Sequence, residues 1–380
     1  MASSHLLCNT FHFHPSCNLS SKSNVSSFKP SGPFSFCQQL QSPKNLVIKA
    51  TGKQVELVYD PDGRINKLAD EVDKQAPLSR LTLFSPCKVN VFLRITCKRK
   101  DGYHDLASLF HASLSKLKQS LPLAFFLELW TPVIDRLSTD VSGVLLTEDY
   151  LIIKALNHYR KKTGTDNFFW VHLDKKVPAG AGLGGGSSNA ATALWAANQF
   201  SGCLATEKEL QEWSSEIGSD IPFCFSHGTA CCTGRGEIVQ DIPSLVPLDK
   251  KMVLIKPPQE CSTAEVYKRI LSISQCFQLD KTSQADPLTL LEKISRNGIS
   301  QDVCINDLGM LLDCYWNLHI ESTFSIVKCI RCYILCGSTI VGIGSPDPPQ
   351  FIYDEDEYQD VFVSEANFIN READQWYQQL

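Results

Sequence analysis

Five glycines within seven positions, then two serines and an alanine-rich run, mark the stretch with the clearest chemistry. It reads Val177-Pro178-Ala179-Gly180-Ala181-Gly182-Leu183-Gly184-Gly185-Gly186-Ser187-Ser188-Asn189, followed by Ala190-Ala191-Thr192-Ala193-Leu194-Trp195. Each glycine costs backbone entropy inside a regular element, so the block is expected as a loop, and the alanines behind it as a helix. A glycine loop feeding a helix N-terminus gathers unpaired N–H donors and the positive end of the helix dipole at one point. That is a cradle for phosphate.

Other residues could act on what the cradle holds. From Lys88 the chain alternates, with Lys88, Asn90, Phe92 and Arg94 on one face of a strand and Val89, Val91, Leu93 and Ile95 on the other. The apolar face is assigned to the core. The other face sets an ammonium and an amide two residues apart, either as an exposed lysine or as a group that meets a substrate. Asp101-Gly102 signals a turn, and Tyr103-His104 follows it, able to stack on a ring, bond a hydroxyl or simply pack. Asp220, in Gly218-Ser219-Asp220-Ile221-Pro222-Phe223, has two readings. It caps a helix whose first turn holds Pro222, or it presents a catalytic carboxylate.

The elements that must position these groups are legible in outline. Leu81 to Ile95 reads as a strand bent at Ser85-Pro86, and Leu151 to Lys162 as an amphipathic helix stopped by Gly164. Phe168 to Leu173 is a strand leading through Lys175-Lys176 into the loop. The helix behind the loop runs to about Phe200. A second one runs from Thr206 to Ile217, opened by the capping box Thr206 and Glu209. Phe225 to Val239 reads as a hairpin bent at Gly234-Arg235-Gly236, Met252 to Ile255 as a buried strand, and Ser262 to Glu265 as a helix start. A second lobe is expected from about residue 247. Residues 112–134 have rough helical spacing interrupted by Pro122 and Pro132, and order returns at Gly337-Ser338-Thr339 after a stretch without clean periodicity. Asp354 to Glu357 reads as a solvated acidic loop.

The bulk composition narrows the class. A chain of 380 residues suits about two domains, and its longest apolar run, Leu121 to Trp130, falls short of a membrane span. Residues 1–50 are serine-rich and carry Lys22, Lys29, Lys44 and Lys49 but no acid; the first acidic residue is Glu56. That pattern suits an organelle transit peptide, with a plastid favoured by the lack of arginine and with cleavage expected near Ile48-Lys49-Ala50. Without those four lysines the formal charge of −5 becomes −9, which argues against nucleic-acid or membrane-surface binding. Anionic ligands must then be held locally. Of the 16 cysteines, Cys329, Cys332 and Cys336 come nearest to a metal spacing, but no distal pair matches them, and reduced free thiols are expected.

The loop itself can be sorted by elimination. Gly180-x-Gly182-x-x-Gly185 fits the dinucleotide pattern, but a second helix rather than a strand follows, so a Rossmann unit fails. A Walker A loop needs Gly-Lys-Ser/Thr, and this one ends Gly-Ser-Ser; the His-Arg-Asp and Asp-Phe-Gly motifs of protein kinases are absent.

The pattern Pro-x-Gly-x-Gly-Leu-Gly-x-Gly-Ser-Ser resembles the loop of the GHMP kinase family. Ser85-Pro86-Cys87-Lys88-Val89-Asn90, Asp101-Gly102-Tyr103-His104, the loop, and Gly218 to Phe223 together resemble, in order, its plastid branch that acts on a cytidyl-linked methylerythritol. The resemblance implies an α+β, two-lobed GHMP kinase fold. Residues 81–246 would form an ATP-binding N-terminal domain like domain 2 of ribosomal protein S5, and residues 247–380 a ferredoxin-like C-terminal domain. It implies ATP-dependent phosphorylation of the substrate's 2-hydroxyl, in isoprenoid biosynthesis in the chloroplast stroma. Asp220 would be the general base and Lys88 its charge partner. Pro178, Ala179, Gly180, Ala181, Gly182, Leu183, Gly184, Gly185, Gly186, Ser187 and Ser188 would hold the ATP phosphates, with Ser187 or Ser188 near Mg²⁺. Asn90, Tyr103 and His104 would contact the cytidyl substrate. The chain departs from the family at Cys87, where alanine is usual, and in residues 112–134 and 308–336. Its third glycine motif is reduced to Cys336-Gly337-Ser338-Thr339. A kinase for another small alcohol, such as homoserine or mevalonate, would share the loop, but Gly102-Tyr103-His104 argues against it. A catalytically impaired protein of the same fold is the other alternative.

Overall fold

Pro86 divides what alternation alone reads as one strand. With no N–H to donate and a fixed φ, proline breaks a ladder, and in the computed structural model the chain leaves one sheet at Ser85 and enters another at Cys87. The structure describes residues 2–7, 48–51, 54–57, 80–101, 103–115, 134–139, 150–175, 177–178, 180–258, 286–308, 326, 328–344 and 347–377. The strands are β1 (Ala2–Leu7), β2 (Ile48–Thr51), β3 (Gln54–Leu57), β4 (Arg80–Ser85), β5 (Cys87–Lys98), β6 (His104–Ser115) and β7 (Arg136–Thr139). Helix α1 (Leu151–Thr163) leads to β8 (Trp170–Lys175), then to helices α2 (Gly185–Phe200) and α3 (Glu207–Ser214) and a short 3-10 turn, Pro222–Phe225. After β9 (Thr229–Gly234), β10 (Ile238–Asp241) and β11 (Lys251–Lys256) come α4 (Pro287–Asn297), β12 (Tyr333–Cys336), β13 (Thr339–Ile343), α5 (Phe351–Asp354) and β14 (Phe362–Phe368).

A large sheet carries the site. Its order is β10-β9-β6-β14-β11-β13-β12, with β5 paired along the other edge of β6. It crosses residue 247, because β6 bonds β14 through Ser113↔Phe368 and its neighbours. A four-stranded sheet, β4-β1-β8-β7, has β7 and β8 parallel and the rest antiparallel. The N-terminal tail thus supplies β1, paired residue for residue with both β4 and β8, a place that composition did not suggest.

Helix α2 packs into the core because its inner face is nearly bare. Ala190, Ala191, Ala193, Ala196 and Ala197 are fully buried, and small side chains let its backbone approach its neighbours. Tyr159 of α1 lies fully buried against it and donates its hydroxyl to Asn198 Oδ1 at 3.1 Å. Asn198 in turn bonds the backbone of Ala205 both ways, fixing the turn into α3. The capping box at Thr206 is present, with both reciprocal bonds to Glu209. Gly164, with φ of 72°, closes α1 as expected.

Five expectations change. The alternation in β5 is broken by a register shift between Asn90 and Phe92, so Phe92 joins the core and Lys88, Asn90 and Arg94 are buried as well. The strand read at Phe168 begins at Trp170. Gly185 and Gly186 are the first turn of α2 and lie outside the loop, because a helix start tolerates glycine better than a helix interior does. Leu114 lies in β6, and α5 and a 3-10 turn, Asp356–Tyr358, fold the acidic run into helical turns at the surface. Residues 116–133, 259–285 and 309–325, and with them the helix start at Ser262, fall outside the described residues.

His111 of β6 is buried, with Nδ1 donating to the Ala112 carbonyl at 3.0 Å and Nε2 3.1 Å from Ser244 Oγ. Burial holds its pKa down at about 4. Below the ordinary value of about 6.5 the unfolded chain binds a proton that the native ring refuses, so stability falls with pH until about 4, by on the order of 3 kcal/mol. Urea midpoints of the wild type and His111→Phe at pH 7 and pH 5 should show the larger acid loss in the wild type. Equal losses would contradict this assignment.

Candidate active site

The loop is shaped by where its carbonyls go. Leu183 O accepts the backbone N–H of Lys88 at 2.9 Å. Gly180 O accepts the Ser338 hydroxyl at 3.0 Å, and Ala181 O accepts the Thr339 hydroxyl at 2.7 Å. Three acceptors are thereby turned into the protein, towards β5 and the β12–β13 turn. Two glycines make this possible. Gly182 and Gly184 have φ of 75° and 66°, a region that side chains disfavour. A Cβ on Gly182 would fall 2.5 Å from Gly337 Cα, and one on Gly184 would fall 2.7 Å from Lys88 Cγ.

With its carbonyls occupied, the loop delivers the chain to α2. Gly184 is the N-cap and has no side chain to cap the first N–H groups, and no acid lies in the first turn. The first intrahelical bond there is Ser188 N–H to Gly184 O at 2.9 Å, so the donors of Gly185, Gly186 and Ser187 have no partner within the helix. Ser187 is half-exposed. Ser188 is buried beside the Cys224 thiol.

Lys88 stands against this loop. Its Nζ donates to Asn90 Oδ1 at 2.7 Å, lies 3.4 Å from Asp220 Oδ2, and sits 4.5 Å from the centroid of Phe110. The lysine side chain is 10% exposed and the Asp220 side chain 34%, so the carboxylate is the member of the pair that opens to solvent. Asn90 is engaged at both ends of its amide: its Oδ1 accepts from the lysine and its Nδ2 donates to Ser108 Oγ at 3.2 Å, while its backbone N–H donates to Cys336 Sγ at 3.3 Å. It therefore orients Lys88.

Asp220 is not a helix cap. The N-cap of Pro222–Phe225 is Ile221, and no side chain caps it. The carboxylate is held in place by the segment immediately C-terminal to it. Arg371, buried, donates Nε to Ser226 O at 2.8 Å and also meets Phe225 O and Glu207, while the Tyr377 hydroxyl donates to Ser226 O at 2.9 Å. Burial pushes the neighbouring Cys224 thiol up to about 12, so it stays neutral beside the carboxylate.

Tyr103 and His104 stand at the far end of the β5–β6 pairing, where Lys98 faces His104, while Lys88 faces Ala112. Tyr103 is 58% exposed and His104 is buried. The β9–β10 turn links that end to the carboxylate: Arg235 Cζ lies 5.5 Å from the Tyr103 ring centroid, and the adjacent Gly236 would place a Cβ 3.4 Å from Asp220 Oδ1. The sequence marked Arg235 only as part of a bend, and it gave no role to Ser108, Ser338, Thr339 or Arg371. Of these, only Ser338-Thr339 carried a signal, the remnant of a third glycine motif. Ala179 and Gly102 lie outside the described residues. Cys329, Cys332 and Cys336 do not converge, and the described residues contain no group of three or more His, Cys, Asp or Glu fit to hold a metal ion.

Residues 150–228 match the profile of the GHMP kinases N terminal domain. A Solanum lycopersicum protein named 4-diphosphocytidyl-2-C-methyl-D-erythritol kinase, chloroplastic/chromoplastic, is 60% identical over 375 residues, covering 92% of this chain and 87% of that protein. An Arabidopsis thaliana protein named 4-diphosphocytidyl-2-C-methyl-D-erythritol kinase, chloroplastic, is 57% identical over 93% of this chain and 91% of its own length. Among solved structures, a 4-(cytidine 5'-diphospho)-2C-methyl-D-erythritol kinase superposes with a TM-score of 0.52 at 21% identity, covering 74% of this chain and 98% of that one. The mevalonate kinase of L. major gives 0.51 at 11%, covering 76% of this chain and 96% of its own. At these identities the two structures establish the shared fold.

Because the atoms facing a Gly182 Cβ are backbone, Gly182→Ala has no cheap relief. Nucleotide affinity should fall by about tenfold or more, about 1.4 kcal/mol, in a calorimetric titration of folded protein. Unchanged affinity would mean that the loop does not need this close approach.

Proposed function

The chain belongs to the 4-diphosphocytidyl-2-C-methyl-D-erythritol kinases of the GHMP kinase family, and from that premise we propose that it transfers the γ-phosphoryl group of ATP to the 2-hydroxyl of 4-diphosphocytidyl-2-C-methyl-D-erythritol. The observation that carries the reading is the Lys88–Asp220 pair, 3.4 Å apart, with the lysine packed against the loop that opens helix α2.

Each group has a part in that reaction. The N–H groups at the start of α2 bind phosphate oxygens in an orientation fixed before ATP arrives, so little reorganisation is needed as charge shifts. Asp220 accepts the proton of the attacking hydroxyl, and its exposure lets a substrate reach it. Lys88 pairs with that carboxylate and offsets charge on the phosphoryl group in flight. Asn90 and Ser108 hold the ammonium on that line. Tyr103, with Arg235 beside it, offers an exposed aromatic face for the cytosine ring, and buried His104 fixes the base of that corner.

The donors present fit a Mg²⁺ that arrives with ATP. Ser187 is the hydroxyl open to it, whereas Ser188 is enclosed, and phosphate oxygens and water would supply its other ligands. Bound there, Mg²⁺ would neutralise charge on the β- and γ-phosphates.

Asp220→Asn should keep ATP binding and lose about 10²- to 10⁴-fold in kcat, read by coupled ADP release with the cytidyl substrate. A variant within a few-fold of wild type would sink the base assignment. Turnover of homoserine or mevalonate in its place would redirect the substrate assignment.

We read residues 81–246 as an ATP-binding domain and residues 247–380 as a second domain whose strands complete the same large sheet. We place the protein in the chloroplast stroma, with residues 1–50 as its transit peptide. The serine-rich, acid-free leader and the chloroplastic relatives support this. Import into isolated chloroplasts followed by N-terminal sequencing should recover a start near Ala50. A product still beginning at Met1 would refute processing.

A further inference from the structure

Two cysteines outside the catalytic pair lie in contact. Cys304 lies C-terminal to α4 in the segment Ser300–Asp307, and Cys332 immediately precedes β12. Their sulfurs are 3.6 Å apart and joined by a hydrogen bond. The backbones around them are already sewn together. Gln301 Oε1 accepts the Tyr333 N–H at 2.8 Å, Asn306 Nδ2 donates to Leu335 O, and Ile343 N–H donates to Cys332 O at 2.8 Å. The same segment is fixed to β5, where Leu93 N–H donates to Ile305 O at 2.7 Å and Arg94 pairs with Asp307 at 3.0 Å. Two thiols held this firmly, on chains that share hydrogen bonds on both sides, need to close by only about 1.5 Å to reach disulfide length.

We propose that Cys304 and Cys332 form a reversible intramolecular disulfide, making this pair an oxidation site of the enzyme with a low-molecular-weight disulfide as oxidant. The two members divide the work. Cys332 is half-buried and reachable, while Cys304 is enclosed. Hydrogen bonding from Cys304 and the charge of Lys250 favour the Cys332 thiolate, and the same hydrogen bond and burial keep Cys304 a thiol. The Cys332 thiolate attacks one sulfur of the small disulfide. That S–S bond breaks, one thiol leaves with a proton, and a mixed disulfide remains on Cys332. Cys304 then loses its proton and attacks Cys332 Sγ, expelling the second small thiol. Two protein thiols are oxidised by two electrons, and one small disulfide is reduced to two thiols.

The crosslink would tie Ser300–Asp307, and through Asp307 strand β5, to the strand whose other end carries the turn that clamps the glycine loop. Cys329, exposed three residues before Cys332, supplies the internal comparison.

Full-length protein equilibrated with glutathione disulfide at pH 8 should lose two hydrogens in its intact mass. After digestion it should yield one peptide joining Cys304 to Cys332, and dithiothreitol should reverse the change. Cys332→Ser should abolish the linked peptide and Cys329→Ser should leave it, while the oxidised wild type unfolds at a higher temperature than the reduced. Cysteines that stay reduced, a persistent glutathione adduct on Cys332, or a Cys329–Cys332 link would each overturn the proposal. The wild-type mass measurement decides the matter even where a serine variant fails to fold.

Discussion

The site depends on three loop carbonyls being turned away from it. A phosphate cradle made of backbone N–H groups works only if the carbonyls of the same peptides point elsewhere, since each would repel a phosphate oxygen. Ser338, Thr339 and the Lys88 backbone take them up. That arrangement requires the β12–β13 turn to touch the loop at backbone distance, which is why Gly337 and Gly182 face each other with no side chain between them. The reduced third glycine motif therefore retains the two hydroxyls that do this work.

Lys88 joins the two halves of the chemistry. Its N–H fixes the loop, its stem packs on Gly184, and its ammonium reaches Asp220 and Asn90. One residue thus sets the distance between the glycine loop and Asp220. Its own position derives from Pro86, which starts β5 in a new sheet, and from the register shift after Asn90, which buries Phe92 and leaves both faces of the strand enclosed. On the other side, the end of the chain holds the segment behind Asp220: Arg371 and Tyr377 bond the carbonyls of Phe225 and Ser226, and Trp376 donates to Phe84 O at 2.9 Å.

The features legible in the sequence are local physics. The glycine loop, the capping box at Thr206, the left-handed stop at Gly164 and the hairpin around Gly234–Gly236 are written in residues a few positions apart. Lys88 and Asp220 were each ambiguous alone and gained meaning from motifs spaced along the chain. The misreadings have a common cause. Alternation in β5 predicted a half-exposed strand because nothing nearby announces the bulge or the cover that Ile305 and Asp307 provide from over two hundred residues away. The partners of Asn90 were equally hidden, since its amide donates to Ser108 and its backbone N–H meets Cys336, 246 positions distant. The pairing of β1 is likewise silent in the sequence, because composition does not reveal strand partners.

That tail has a consequence for how the protein matures. Strand β1, six residues long, lies between β4 and β8 and bonds both. A chain cut near Ala50 has lost it, and β4 and β8 then face each other across a gap one strand wide, roughly 10 Å. If residues 1–50 serve as the proposed transit peptide, targeting and folding compete for the same residues. A precursor that folds early withdraws its address into a sheet, while one that is cleaved first presents two open ladders. Those ladders would accept any extended segment of suitable register, from this chain or from a second copy.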